Sequence, residues 1–241
     1  MTKEIYQLLE NYMLSCMDVA GHDPEHVYRV LYNALQIEKN TAGVDTDILI
    51  AACLLHDIGR KEQSENPALC HALVGGEKAY VFLLKNGFGE TFAQRVKDCI
   101  QTHRFRKNRQ PESIEAKILF DADKLDATGA IGIARTLAYE AEVGKPLYVK
   151  RADGSICDGT DTDTPSFFHE YKFKLEKLYD RFYTEAGRNM AQSRKQIAVD
   201  FYHALYREVG ESYAAGQKLL ERNLYELKAG KTNSGRSGKG L

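Results

Sequence analysis

His56 and Asp57 stand side by side in the run Ala-Ala-Cys-Leu-Leu-His-Asp-Ile-Gly, residues 51–59. An imidazole and a carboxylate set into apolar chain without partners would cost several kcal/mol, and a bound cation is the most economical compensation. A divalent ion held by one His and one Asp needs two or more further nitrogen or oxygen ligands. His26 lies upstream in Asp-Pro-Glu-His-Val-Tyr-Arg-Val, and Asp123 lies downstream in Ile-Leu-Phe-Asp-Ala-Asp-Lys-Leu-Asp. A set of His26, His56, Asp57 and Asp123 offers two neutral imidazoles and two carboxylates, enough to cancel a 2+ charge. Two positions of an octahedral shell stay open for water or phosphate oxygens. Asp121 and Asp126 compete with Asp123, and either reads equally as a cap or a salt-bridge partner.

Three ordered strings carry a resemblance: His-x-x-Arg-Val at 26–30, Leu-His-Asp-Ile-Gly at 55–59 and Asp-Ala-Asp-Lys-Leu-Asp at 121–126. Together they resemble the HD-domain metal-dependent phosphohydrolase superfamily, in its bacterial YpgQ/YedJ-like branch. The likeness continues through Ala-Ile-Gly-Ile-Ala-Arg (130–135) and Pro-Ser-Phe-Phe-His-Glu (165–170), and spans roughly residues 1–212. It implies that the metal-binding aspartate of the last motif is the one before the lysine, Asp123. It also implies an all-α fold, an HD-domain helical bundle extended by C-terminal helices.

The implied activity is nucleotide pyrophosphohydrolysis, a (deoxy)nucleoside triphosphate giving the monophosphate and pyrophosphate. A nucleoside monophosphate phosphatase or cyclic phosphodiesterase on the same site is the enzymatic alternative, and a metal-dependent nucleotide sensor with little turnover is the non-enzymatic one. Mixed His and carboxylate ligands with open octahedral positions suit Mn2+ best, and Fe, Co, Ni, Zn or Mg also fit. Asp57 can orient or deprotonate an attacking water, and His71, in a His-Ala-x-x-Gly stretch like the family's, is a candidate proton donor. His103 ends a predicted helix, and with Arg60, Lys61 and Lys124 it is a candidate phosphate contact; Lys124 adjoins a ligand and could offset transition-state charge. Arg135, Glu62, His169, Lys172 and Lys174 are weaker candidates. Tyr28, Tyr139 and Tyr171 could stack on a base, although helical aromatics are more often core. Extra histidines bind a second metal in some branches of the superfamily; a single ion is the expectation here.

Helical periodicity dominates the elements that must position these groups. The spacing predicts helices at about 2–18, 24–40, 46–57, 70–86, 90–103, 111–126, 129–143, 166–186 and 188–229, the last broken around Gly210. Asp23 before Pro24 reads as an N-cap, and Gly59 as the stop of the 46–57 helix, which puts His56 and Asp57 at its C-terminal edge. Residues 147–157 read as one short β-hairpin with an Asp-Gly turn. The Asp-rich stretch 153–163 lacks EF-hand spacing and reads as a solvated loop. A single domain over residues 1–227 is expected, with core motifs at 22–135 and a helical part at 166–227. The Gly/Ser/Lys-rich tail 228–241 should be disordered.

At 241 residues with 43% hydrophobic content, the chain can bury one substantial core. Basic and acidic residues number 33 and 34, which argues against a broad nucleic-acid or membrane surface but leaves room for a small phosphate pocket. The expected partner is a phosphorylated small molecule, a nucleotide, with neither nucleic acid nor membrane, and a homodimer is compatible with the sequence. Five cysteines form no Cys-x-x-Cys pair and read as reduced. The start lacks a signal h-region and no apolar run approaches a membrane span, so a cytoplasmic location is expected.

Overall fold

The computed structural model describes residues 1–17, 24–104 and 109–233, with side chains given up to residue 225. Ten α-helices and a 3-10 turn make up the described chain: α1 Lys3–Cys16, α2 Pro24–Glu38, α3 Thr46–Leu55, α4 Arg60–Glu65, α5 His71–Lys85, α6 Glu90–Thr102, α7 Ile114–Leu125, α8 Gly129–Glu142, α9 Phe167–Phe173, the turn Leu175–Asp180, and α10 Glu185–Asn233. The fold is all-α. Several helices start where a hydroxyl or carboxylate accepts a first-turn N–H: Thr2 from Ile5, Asp45 from Ile48, Ser113 from Ala116 and Ser166 from His169. Pro24 opens α2 at its first position, and the expected cap Asp23 lies outside the described residues.

α3 sits at the centre. Its sequence Thr-Asp-Ile-Leu-Ile-Ala-Ala-Cys-Leu-Leu is apolar nearly all round, so it can be stable only with neighbours on every side. α1, α2, α5, α6 and α7 pack against it. Ile48, Leu49 and Ala51 through Leu55 are buried as a result.

Gly59 corrects one expectation. It does not stop α3 in a left-handed conformation: its φ is −97°, and it serves as the N-cap of α4. The need for glycine is spatial, because a Cβ there would lie 2.3 Å from the His71 carbonyl oxygen and 2.6 Å from the Gly75 nitrogen. α5 therefore passes against the chain just after the His-Asp pair, which draws His71 to the same place.

The C-terminal helices also differ from the periodic reading. The predicted helix at 166–186 is cut into α9, a 3-10 turn and the residues before α10. Buried Asp121 explains the cut: its carboxylate accepts from Tyr183 N (2.9 Å), Thr184 N (2.7 Å) and Thr184 Oγ1 (2.7 Å), arresting the chain in a non-helical bend. Thr184 Oγ1 in turn accepts from Gly187 N at 3.0 Å, capping α10. The expected break at Gly210 is absent, and α10 runs through it with nothing within 4 Å of where a Cβ would sit. The helix continues through 228–233, the start of the tail expected to be disordered; residues 234–241 lie outside the described residues. The hairpin is reduced to an isolated antiparallel bridge, Lys150 to Ile156, around Gly154 at φ +83°, with no strand among the described residues. All five cysteines are free thiols, and no described helix is long and apolar enough to cross a membrane.

The two glycines give opposite expectations in thermal melts. Gly59→Ala must force α5 away from the end of α3 and should cost about 3 kcal/mol, a fall of roughly 6–12 °C in Tm for a chain of this size. Gly210→Ala adds helix propensity where there is space and should raise Tm by about 2–4 °C. Equal shifts in the two variants would contradict the packing described.

Candidate metal centre

Three helix ends and two helix starts converge on one place. α2 supplies His26 from its first turn, α3 supplies His56 at its C-cap with Asp57 directly after, and α7 supplies Asp123 from its last turn. α5 begins with His71 and α6 ends at the cap His103. His26 Nε2 lies 3.4 Å from Asp123 Oδ1 and 3.6 Å from Asp57 Oδ2, and His56 Nε2 lies 3.5 Å from the same Asp57 oxygen. Each of the four residues singled out as ligands thus has a possible ligand atom within 3.6 Å of one from another of the four.

The second oxygen of Asp57 faces another group. Oδ1 is 3.4 Å from His71 Nε2, 3.7 Å from His103 Nε2 and 3.0 Å from Arg60 Nε. The two Nε2 atoms are 3.3 Å apart. Possible ligand atoms thus fall into two sets, His26 with His56 and Asp123, and Asp57 with His71 and His103, each set within 4.8 Å. Asp57 touches both.

The hydrogen-bond chemistry tests whether these residues fit a cation. His56 Nδ1 donates to the Cys53 carbonyl at 2.7 Å, His103 Nδ1 to the Ile100 carbonyl at 2.6 Å, and His71 Nδ1 pairs with Gln63 Oε1. With Nδ1 carrying the proton, each Nε2 presents a lone pair. His26 Nε2 and His56 Nε2 are buried without a hydrogen-bond partner, and buried Asp57 Oδ1 has only the Arg60 ion pair. Acceptor atoms facing one another in a buried site are what a cation, or a proton in its stead, must bridge. The donor set fits a divalent ion.

Electrostatics agree. Burial and Arg60 push His71 down to about 2, and burial and the neighbouring His56 push His103 down to about 3, so both rings are neutral. Burial also lowers His56. Burial opposes ionisation of Asp57 and Asp123, yet His56 and Arg60 around the first, and Lys124 and His26 around the second, hold both well below the usual carboxylate range. Burial would likewise lower His26, but Asp123 and Asp126 outweigh it and raise the ring to about 9. Among protein groups alone, a proton on His26 stands where an ion would sit.

The other candidates divide. Lys124 Nζ is 2.7 Å from Asp123 Oδ2, and Arg60 is on Asp57, so both line the cluster. Lys61 is exposed on the first turn of α4, and no ion pair ties it to the cluster among the described residues. Glu62 pairs with Lys78 instead. Lys172 and Lys174 pair with Glu176 and Glu170, and His169 stacks on Phe173 at 4.3 Å. Tyr28 donates to Glu10, buried Tyr171 stacks on Tyr202, and Tyr139 is exposed. The sequence reading left Asp126 as a cap or ion-pair partner and gave Gln63 no part. Asp126 meets His26 Nδ1 at 2.7 Å together with Arg29 and Arg135. A signal existed for that contact: Arg29 follows His26 by three residues, hence on the same helix face. None existed for Gln63.

Comparison with known proteins accords with this geometry. The HD domain family matches residues 25–128. YpgQ of Bacillus subtilis (strain 168) is 32% identical over 195 residues, covering 79% of this chain and 85% of YpgQ. A crystal structure of B. subtilis YpgQ in complex with ADP superposes with a TM-score of 0.65 at 27% identity, over 83% of this chain and 97% of that one. An HD-superfamily hydrolase from Bacillus thuringiensis gives 0.65 at 29% identity, over 86% and 97%. The chain belongs to the HD superfamily. It is a metal-dependent hydrolase of the phosphohydrolase kind that defines this superfamily.

The His26 ring sets a pH dependence for ion uptake. Below pH 9 the ion must displace a proton, so apparent Mn2+ affinity should rise about tenfold per pH unit between pH 6 and 8 and level off above 9. Calorimetry in two buffers of different ionisation enthalpy should show close to one proton released at pH 7. Uptake without proton release would contradict the assignment.

Proposed function

We propose that this protein is a nucleotide pyrophosphohydrolase, cleaving (deoxy)nucleoside triphosphates to monophosphates and pyrophosphate, with His26, His56, Asp57 and Asp123 as metal ligands. The observation that carries the reading is the buried cluster of inward-facing acceptors with Arg60 and Lys124 on its carboxylates. The relative crystallised with ADP supports a nucleotide as the substrate class. Bound there, a divalent ion would supply Lewis acidity, acidifying a water and offsetting charge on phosphate oxygens.

The protein's own groups do the rest. Asp57, with Arg60 on Oδ1 and Oδ2 toward His26 and His56, would orient an attacking water beside the ion or accept its proton. Arg60 and Lys124 stand where equatorial phosphate oxygens gather charge. His71 was a candidate proton donor, but with Nδ1 on Gln63 and the ring held neutral it is better suited to present its Nε2 lone pair. Pyrophosphate leaves without a strong acid, so the reaction does not need one. The same atoms favour a second ion bound by Asp57, His71 and His103, in place of the single ion expected from sequence.

Incubation of the purified protein with Mn2+ and a nucleotide panel tests the substrate. Pyrophosphate and monophosphate are the expected products, orthophosphate would favour a phosphatase, and tight binding without product would favour a sensor. Asp57→Ala should lower turnover by at least about 10³-fold while the helical circular-dichroism spectrum is retained; near wild-type turnover would defeat the assignment. Elemental analysis should find close to two ions per chain in the native protein and one in His71→Ala. One ion in both proteins would remove the second site.

A further inference from the structure

We propose that Asp126 is the positioning residue of the metal centre, fixing the tautomer and ring setting of His26 so that its Nε2 faces Asp57 and Asp123. The inference rests on the reading of the cluster as a cation site. Asp126 caps the C-terminus of α7 and is 1% exposed. Its Oδ2 lies 2.7 Å from His26 Nδ1, on the side of the ring away from the cluster. An ionised carboxylate only accepts, so this contact keeps a ring proton on Nδ1, and it is Nε2 that gives up its proton and offers a lone pair when an ion enters.

The carboxylate is itself held in one plane. Arg29 Nε donates to Oδ1 at 2.7 Å and Arg29 Nη2 to Oδ2 at 3.1 Å, a two-pronged contact, while Arg135 of α8 donates to Oδ2 and to the Asp126 carbonyl oxygen. Such a fork fixes orientation as well as charge. α2 carries both His26 and Arg29, and Asp126 follows the ligand Asp123 by three residues, so the clamp ties the ring to the helices that bring the ligands.

Local structure explains why His26 needs this support. His56 and His103 end their helices and reach a carbonyl three residues back on the same helix. His26 is the third residue of α2 and has no complete turn behind it. Its restraint comes from another helix through a charged side chain.

Asp126→Asn tests the role, because asparagine keeps the size but can turn its NH2 toward Nδ1. The ring proton would then move to Nε2 and face Asp123. In histidine-labelled protein kept in chelator at about pH 10, above the range in which the His26 ring carries both protons, 15N spectra should show His26 change from the Nδ1–H to the Nε2–H tautomer. Mn2+ affinity by calorimetry should fall about 10–100-fold. Arg29→Lys, which keeps a positive charge but loses the fork, should give a smaller loss of affinity with the Nδ1–H tautomer kept. A helix-tethering role alone would change stability without moving tautomer or affinity. Unaltered tautomer and affinity in Asp126→Asn would overturn the inference; if that variant does not fold, unaltered affinity in Arg29→Lys would do so. No Mn2+ uptake by the wild-type chain would overturn the cation-site reading and this one together, whereas equal uptake by wild type and Asp126→Asn would remove only this one.

Discussion

At each of four buried or nearly buried histidines the Nδ1 side is occupied: Asp126 at His26, the Cys53 carbonyl at His56, Gln63 at His71 and the Ile100 carbonyl at His103. The opposite nitrogen of each ring therefore points inward, onto the two oxygens of Asp57 and one of Asp123. Acceptor against acceptor in a site that excludes water is unfavourable unless positive charge enters between them. This frustration is the constraint around which the rest is arranged. It also couples the fold to the ion, since whatever bridges these atoms stabilises the convergence of α2, α3, α5, α6 and α7.

The scaffold tolerates the frustration because it is stiff where the polar groups leave the helices. α3 is apolar from Ile48 to its last residue and is wrapped by five helices, so His56 and Asp57 project from an anchored end. Gly59 lets α5 cross just beyond them, and the backbone spacing there leaves no room for a methyl group. On the far side Asp121 captures the bend at Tyr183 and Thr184, pinning the start of α10 to α7, the helix that presents Asp123. Two aspartates two residues apart on α7 thus serve opposite ends: Asp123 meets the imidazoles, and Asp121 meets backbone amides.

The residues that converge were legible in sequence because they come in short local strings, each polar group standing out against apolar neighbours. The helices that carry them were legible for the same reason, since burial imposes a periodicity that each segment shows by itself. What stayed hidden was set by contacts between distant segments. Nothing around residues 181–184 announces a break; the partner is Asp121, some sixty residues earlier, which in its own string looks like a spare ligand. Gly59 looked like a helix stop because glycine commonly is one, whereas its reason lies in the approach of Gly75 and the His71 carbonyl. Gly210 looked like a break, but an exposed helix absorbs the cost of one glycine, about 1 kcal/mol. The second group of histidines was visible as residues but not as a site, because Asp57 serves both groups and a string of letters does not show which way each carboxylate oxygen faces.

Charge balance around the cluster bears on what it can bind. Counting only ligands, two carboxylates would neutralise one divalent ion. The structure adds Arg60 on Asp57 and Lys124 on Asp123, so each carboxylate already has a cation on one oxygen while another part of the group faces the imidazoles. With one ion held by neutral imidazoles and these two carboxylates, the local charge would be about two positive, and more with a second ion. A neutral ester would leave that excess unmatched in a partly buried site, whereas a polyphosphate brings several negative oxygens to it. The surplus of positive charge over carboxylates therefore suits an anionic substrate better than a neutral one, independently of any relative.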